Sequence, residues 1–182
     1  IPALAAVALA ALVYLNALHN PFIYDDHRVI EQNRSIVPPL YAADVAPVPY
    51  PQGYRQWTHV KSMTIHPGHA LYDAFGGIHH LYANKKAEQG YKSGKFGDGS
   101  VIVFDLLEAK AADNTVQEGA RKVLGVMHKD SRKYKDTGGW GFEGFKGDST
   151  TDRAVGNNAA TACFQCHTAR KDNDFVFSAF RK

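Results

Sequence analysis

The chain has 182 residues, a length that suits one domain of ordinary size with a further segment for an anchor or linker. Hydrophobic residues make up 45% of the chain and aromatic residues 12%, which is enough for a packed core. The net charge of +3 arises from interleaved signs with no basic stripe, so composition gives no support for nucleic acid as a partner.

Residues 1–18 contain no charged side chain and are rich in Ala and Leu. About 18 apolar residues are just enough to span a bilayer as a helix, so we expect a membrane anchor here, with a buried soluble helix as the alternative. A signal peptide would show a starting Met and a basic stretch, and neither is present. We therefore expect that the sequence begins inside a longer protein.

Residues 1–40 include a loop with paired acidic residues, Asp25 and Asp26. This stretch resembles the first transmembrane helix and following loop of multi-spanning glycosyltransferases with tetratricopeptide repeats, in which the paired aspartates belong to the catalytic loop. No other spanning segments follow, so we assign no transferase activity and interpret residues 1–37 as an anchor or fusion segment.

Residues 38–53 have the composition of a linker. The residues typical of linkers are Pro38, Pro39, Pro47, Pro49, Pro51 and Gly53. We therefore place a folded domain at residues 54–182.

Strand-like composition alternates with turns over most of this domain. Strands are predicted at Tyr54–Thr64, Gly77–Ala83, Ser100–Leu107, Arg121–His128 and Trp140–Lys146. Short helices are predicted at Asn84–Tyr91, ending at Gly90 or Gly94, and at Asn157–His167 after Gly156. The predicted fold class is α+β, mainly antiparallel β-sheet with a few short helices.

Two of these segments carry more specific predictions. In the strand Ser100–Leu107, side chains alternate between faces, so Ile102, Phe104 and Leu106 share one face, and Val101, Val103 and Asp105 share the other. The alternation of Asp and Lys over residues 129–136 predicts a solvated surface.

The two cysteines of the chain lie together in Cys163-Phe164-Gln165-Cys166-His167. This pattern is a c-type haem attachment motif, in which each thiol forms a thioether and the adjacent histidine is held under the iron. A redox dithiol would not need the histidine. Zinc would need a second Cys/His pair at ligand spacing, which the sequence lacks. We predict one covalent haem c per chain with His167 as the axial ligand.

The ligand on the other face of the iron decides the function, because electron carriers close this position with Met or His, whereas gas-binding haems leave it open. Met63 and Met127 lie in predicted strands and are interpreted as core residues. His66 and His69 flank a Pro-Gly turn and are expected at the surface. His79 and His80 point to opposite faces of one strand, so one of them could line the haem pocket.

Several stretches resemble the cytochrome P-460 and cytochrome c′-beta family over nearly the whole domain. They are Gly53–Trp57, Lys92–Gly99, Lys129–Tyr134, Gly139–Phe142, Cys163–His167 and Asp174–Phe180, in the family's order. The resemblance implies a sheet-rich homodimer with five-coordinate iron.

Within that family, hydroxylamine-oxidising members carry a lysine that cross-links to the haem, and Phe104 stands at this position. The resemblance therefore favours cytochrome c′-beta, with Phe104 and Phe75 capping the distal face. His79 stands where the family has an arginine, and residues 121–128 contain no Asp or Glu where oxidising members place a carboxylate.

We therefore expect a protein that binds nitric oxide and carbon monoxide in sensing, scavenging or storage. The alternatives are a hydroxylamine or nitric oxide oxidoreductase and an electron-transfer cytochrome. Because c-type haem attachment takes place outside the bacterial cytoplasm, we expect a periplasmic location, with residues 1–18 as the inner-membrane anchor.

Overall fold

A computed structural model describes residues 47–181, which form a five-stranded antiparallel sheet in which each strand pairs with the next along the sequence. The strands are β1 Thr58–Ile65, β2 Gly77–Ala83, β3 Val101–Ala112, β4 Thr115–Lys129 and β5 Trp140–Lys146. The α-helices are α1 Tyr72–Phe75, α2 Lys85–Ser93 and α3 Gln165–His167. The predicted α+β class is confirmed.

Single helical turns complete the fold, and most of them precede or follow α3. The 3-10 turns are Tyr54–Gln56, Lys135–Thr137, Gly156–Asn158 and Thr168–Asn173, and a π-helical turn covers Ala160–Phe164. Residues 156–173 are thus almost continuously helical, and this C-terminal helical segment contains the Cys-x-x-Cys-His motif.

Helix α2 begins and ends where its sequence dictates. The Asn84 side chain accepts the Ala87 backbone N–H, which satisfies one of the free donors at a helix N-terminus. Gly94 ends the helix in the left-handed region, with φ of 76°, which glycine adopts without a Cβ clash. Of the two glycines predicted to end this helix, Gly94 does so.

Alternation along β3 divides the core between the two faces of the sheet, as predicted. The attachment-side core consists of Val60, Ala83, Ala87, Phe96, Ile102, Trp140, Phe142 and Val176, and Cys163 and Phe164 pack against it. The opposite core consists of Val48, Tyr54, Val103, Leu124, Val126, Tyr134 and Phe145. The C-terminal helical segment therefore lies on the face that carries Ile102.

The β3–β4 hairpin is longer than the sequence predicts. Its turn is Asp113-Asn114, two residues at positive φ as in the tight turns that connect hairpin strands. Residues 108–120 are largely exposed and carry no hydrophobic pattern that would mark them as strands. The predicted ends at Leu107 and Arg121 are therefore wrong, because backbone pairing alone extends this ribbon.

Packing begins inside the range assigned to a linker, since Val48 and Pro51 are buried. The boundary at residue 54 stays a prediction. The anchor over residues 1–18 and the transferase-like stretch over residues 1–40 lie outside the described residues. Within residues 47–181, no helix is long and apolar enough to cross a membrane.

Candidate functional site

The helical segment places the motif side chains along one side. Cys163 and His167 are four residues apart, and Cys163 and Cys166 are three apart, so all three project from neighbouring positions on the helix surface. The two cysteines do not form a disulfide with each other. Cys163 packs against the attachment-side core, whereas Cys166 is exposed. The motif therefore lies at the boundary between the attachment-side core and solvent.

His167 has a defined tautomer. Its Nδ1 lies 2.7 Å from the Phe175 carbonyl oxygen, and because a carbonyl can only accept, Nδ1 carries the proton. The lone pair of Nε2 is then available to a metal. Burial lowers the pKa of His167, with the Phe175 hydrogen bond opposing this in part, so the imidazole is neutral at neutral pH. The rings of Phe142 and Phe177 flank it at 4.9 and 5.1 Å.

Glu143 fixes the chain that leads into the helical segment. Its Oε1 accepts the backbone N–H groups of Val155 and Gly156 at 3.1 and 3.2 Å, and its Oε2 accepts from Arg153 at 2.8 Å. Glu143 is buried on β5, so these bonds join the start of the segment to the sheet. The sequence did not single out this residue, since an isolated Glu in a strand gives no signal of its partners.

The structure brings Phe75 and Phe104 together. Their rings meet edge to face with centroids 5.9 Å apart. Phe104 pairs with Gly125, and its side chain lies over the position that a Cβ on Gly125 would occupy. Ile102, two residues before Phe104, points to the same face of β3. It pairs with Met127 on β4, which pairs with Phe142 on β5, and the Phe142 ring contacts His167. The phenylalanine pair and His167 therefore lie over the same face of the sheet.

His79 joins this group from β2. It is 1% exposed, and its ring meets that of Phe104 at 4.6 Å. Its Nε2 donates to the Phe75 carbonyl at 2.5 Å, while the Lys122 ammonium donates to the Gly76 carbonyl at 2.9 Å. Two strands thus hold the short α1 helix at its end, where Phe75 is located.

The remaining nitrogen of His79, Nδ1, is buried without a hydrogen-bond partner. Burial lowers the pKa of His79, helped by the nearby positive charge of Lys122. His80 points to the other face, as predicted, and contacts Ser62 at 2.7 Å and Glu118 at 2.5 Å.

Two predictions about single residues are wrong. Met63 is 52% exposed rather than packed in the core, because β1 is the edge strand and its outer part lacks a covering layer in the described residues. Lys129 is 8% exposed, although the alternation of charges predicted a solvated surface over residues 129–136; residues 131–133, Lys135 and Asp136 are exposed, as predicted. Its ammonium bonds Asp174, 45 residues further along the chain. Met127 packs against the attachment-side core, and His66 and His69 are exposed, as predicted.

The residues of this region fit a covalent haem. His167 offers a neutral nitrogen lone pair, and the two thiols stand at attachment spacing beside it. Burial raises the pKa of the Cys163 thiol to about 11, so the site favours an uncharged sulfur, which a thioether also provides. Phe75 and Phe177, 39% and 53% exposed, offer partly uncovered apolar area to a flat apolar group. Within the described part of the chain, no group of three or more His, Cys, Asp or Glu could hold a bare metal ion.

A Cys-x-x-Cys-His helix on one face of an antiparallel sheet defines this molecule as a c-type haem protein. The family model for cytochrome P460 matches residues 51–178, and the chain belongs to this family, whose members carry covalently bound haem c. A comparison with curated proteins found no match.

Proposed function

We propose that this protein binds nitric oxide and carbon monoxide at a five-coordinate haem iron. In this proposal His167 is the axial ligand, Cys163 and Cys166 are the attachment points, and Phe75 and Phe104 cover the distal side. The observation that carries it is the edge-to-face contact of these two rings, over the same face of the sheet as His167.

The chemistry of the cap sets the ligand class. Phenylalanine rings offer no hydrogen bond, so an anion or strongly polar ligand beneath them loses its partners in water at a cost of about 1–3 kcal/mol. Neutral diatomic molecules do not meet this penalty. The N–H of His79, whose ring packs against Phe104, is already bonded to the Phe75 carbonyl. When bound, the haem supplies one open coordination position, and the side chains around it select what enters.

Hydroxylamine oxidation is the alternative, and one observation favours it. Such a reaction needs a positioned base, and the unpaired Nδ1 of His79 is a buried acceptor beside Phe104. Against it, the family resemblance places Phe104 where the oxidising members carry a cross-linking lysine, and a phenylalanine cannot form that bond. An electron-transfer role would instead need Met127, Met63 or a histidine on the iron.

The reduced absorption spectrum of the haem-loaded protein, with and without nitric oxide, separates these functions. We expect a high-spin ferrous spectrum that changes on addition of nitric oxide and of carbon monoxide. A low-spin spectrum that neither gas alters would show a filled sixth position and overturn the proposal. A strongly red-shifted Soret band would indicate a cross-link and favour the oxidase.

Location and assembly are further parts of the proposal. The attachment motif supports a periplasmic location, with residues 1–18 as an inner-membrane anchor, and the family resemblance supports a homodimer. Light scattering on the haem-loaded protein tests the dimer, since a single species of about 20 kDa would contradict it.

A further inference from the structure

The carbonyl that orients His167 comes from an unusual turn. Asp174 and Phe175 are consecutive non-glycine residues with φ of 49° and 65°, in the left-handed region that L-residues disfavour. Such conformations persist only where the surroundings hold them, and they concentrate at functional sites. The turn directs the Phe175 carbonyl oxygen onto Nδ1 of His167 at 2.7 Å.

Three elements hold Asp174 in this turn. The Lys129 ammonium at the end of β4 bonds Oδ1 at 2.7 Å, and the Phe96 backbone N–H after α2 bonds Oδ2 at 2.8 Å. The indole N–H of Trp140, the first residue of β5, bonds the Asp174 carbonyl at 2.8 Å. Every hydrogen-bonding oxygen of Asp174 is therefore fixed from outside its own segment.

Lys129 is itself held in place. Its ammonium also donates to the Gly138 carbonyl at 3.0 Å and lies 4.9 Å from the centre of the Trp140 ring. Gly138 leaves room for Phe175, because a Cβ there would come within 2.3 Å of that ring. Lys129 and Gly138, at the two ends of the turn between β4 and β5, therefore contact Asp174 and Phe175 respectively.

We propose that Lys129 and Asp174 are positioning residues for the axial histidine, an inference that rests on His167 ligating the haem iron as in the proposed function. A fixed carbonyl acceptor polarises the Nδ1–H bond and makes Nε2 a stronger donor to the metal. Hydrogen bonding around the axial ligand is one of the ways in which a protein sets the properties of a haem. The Lys129–Asp174 pair therefore strengthens the iron–histidine bond and lowers the reduction potential without touching the haem.

The test compares Lys129→Met with Lys146→Met in haem-loaded protein. Lys146 forms the same kind of ion pair, with Asp152 at 3.4 Å, but both side chains are more than half exposed. We expect Lys129→Met to shift the iron–histidine stretching band in the resonance Raman spectrum of the ferrous protein to lower frequency and to raise the reduction potential. Lys146→Met should leave both unchanged.

A milder variant covers the case in which Lys129→Met does not fold. Asp174→Asn keeps an oxygen for the Phe96 N–H and places an amide NH2 group, which cannot accept, opposite the Lys129 ammonium, so it breaks the contact with Lys129. Its shifts should match those of Lys129→Met in direction, and the double variant should show no more than the larger single shift, because both act through one contact. An unchanged potential in the folded Asp174→Asn protein, with lower thermal stability, would show a purely structural pair and overturn the inference.

The reduction potential tests the positioning role without requiring an open distal side. The reduction potential can be measured whether or not the sixth position is open, and the response to nitric oxide is measured on the unaltered protein. Failure of the gas-binding proposal and failure of the positioning role therefore give different results.

Discussion

Neighbouring histidines have different roles because strand alternation sends them to opposite faces of the sheet. His79 is buried against Phe104 and holds the Phe75 carbonyl, whereas His80 joins a surface chain with Ser62 and Glu118. The sequence predicted this division but not which of the two would face the distal pair. That depended on the side of the sheet on which the haem-attachment segment packs.

The distal cap makes a prediction about ligand charge. Removing either ring in Phe75→Ala or Phe104→Ala admits water, which can solvate an anion at the iron. A penalty of about 1–3 kcal/mol corresponds to a factor of about 5–150 in affinity. We therefore expect cyanide to bind the ferric protein more tightly by a factor in this range, as measured by spectrophotometric titration.

Phe180→Ala is the matched control for the cap. Phe180 is similarly exposed, at 36% against 39% for Phe75, but its ring packs on Tyr91. Cyanide affinity should stay unchanged in this variant. If all three variants bound cyanide as weakly as the unaltered protein, the two rings would not cover the iron.

His79 also makes a prediction about pH. Because burial lowers its pKa, the unfolded chain takes up a proton near pH 6.5 that the folded protein does not, and the free energy of unfolding falls as the pH drops below about 6.5. The variant His79→Gln keeps a side-chain N–H donor but cannot titrate, so its stability should fall less steeply with acid. Urea unfolding of the haem-loaded protein across this pH range measures the slope, with the exposed His66→Gln as control. An identical slope for wild type and His79→Gln would contradict the assignment.

At the scale of secondary structure, the predictions succeeded where a segment packs into the core. Strands β2 and β5 have the predicted bounds, and α2 ends at Gly94, one of the two predicted glycines. The ribbon beyond Leu107 was missed because its side chains are solvated and its strand state depends on backbone pairing. The single-turn helix α1 gave no periodic signal in four residues.

The start of β2 depends on a glycine. Gly77 has φ of 133°, and a Cβ there would lie 2.1 Å from the Leu107 carbonyl oxygen. The variant Gly77→Ala must therefore distort the β2–β3 pairing, and we expect it to lose more than about 2 kcal/mol of unfolding free energy, at the upper end of ordinary point substitutions. Urea unfolding measures the loss.

Gly97→Ala is the control for Gly77, since nothing lies within 4 Å of its added Cβ and its φ is not in the positive region. This variant should change the free energy of unfolding by less than about 0.5 kcal/mol. Equal unfolding free energies for the two glycine variants would show that Gly77 does not lie close to the Leu107 carbonyl.

At the scale of the whole domain, each face of the sheet has its own core, and a tyrosine with a raised pKa contacts each core. Tyr54, in the opposite core, donates to Asp105 at 2.6 Å, and Tyr91 packs against the attachment-side core. Burial is the main reason that the pKa of each is raised to about 12. The two tyrosines therefore change the free energy of unfolding in the same direction at alkaline pH.

Alkaline pH should destabilise the domain. Between about pH 10 and pH 12 the unfolded chain loses tyrosine protons that the folded protein retains, so the free energy of unfolding falls as the pH rises. Tyr54→Phe removes one titrating group and should reduce the fall in melting temperature between pH 9 and pH 11. Tyr72→Phe, at a tyrosine that is 38% exposed, is the control. An unchanged fall in Tyr54→Phe would show that Tyr54 does not titrate differently on folding.

The sequence by itself determined the haem chemistry, the fold class and most strands. Each of these follows from local information: five consecutive residues for attachment, and the alternation of side chains along a strand. Only the tertiary structure decided how His167 is oriented and why Lys129 is buried. The contacts responsible join residues 45 and 78 positions apart, Lys129 and Phe96 with Asp174. Such contacts depend on strand register and on which face the C-terminal segment covers, and no local pattern of residues contains either.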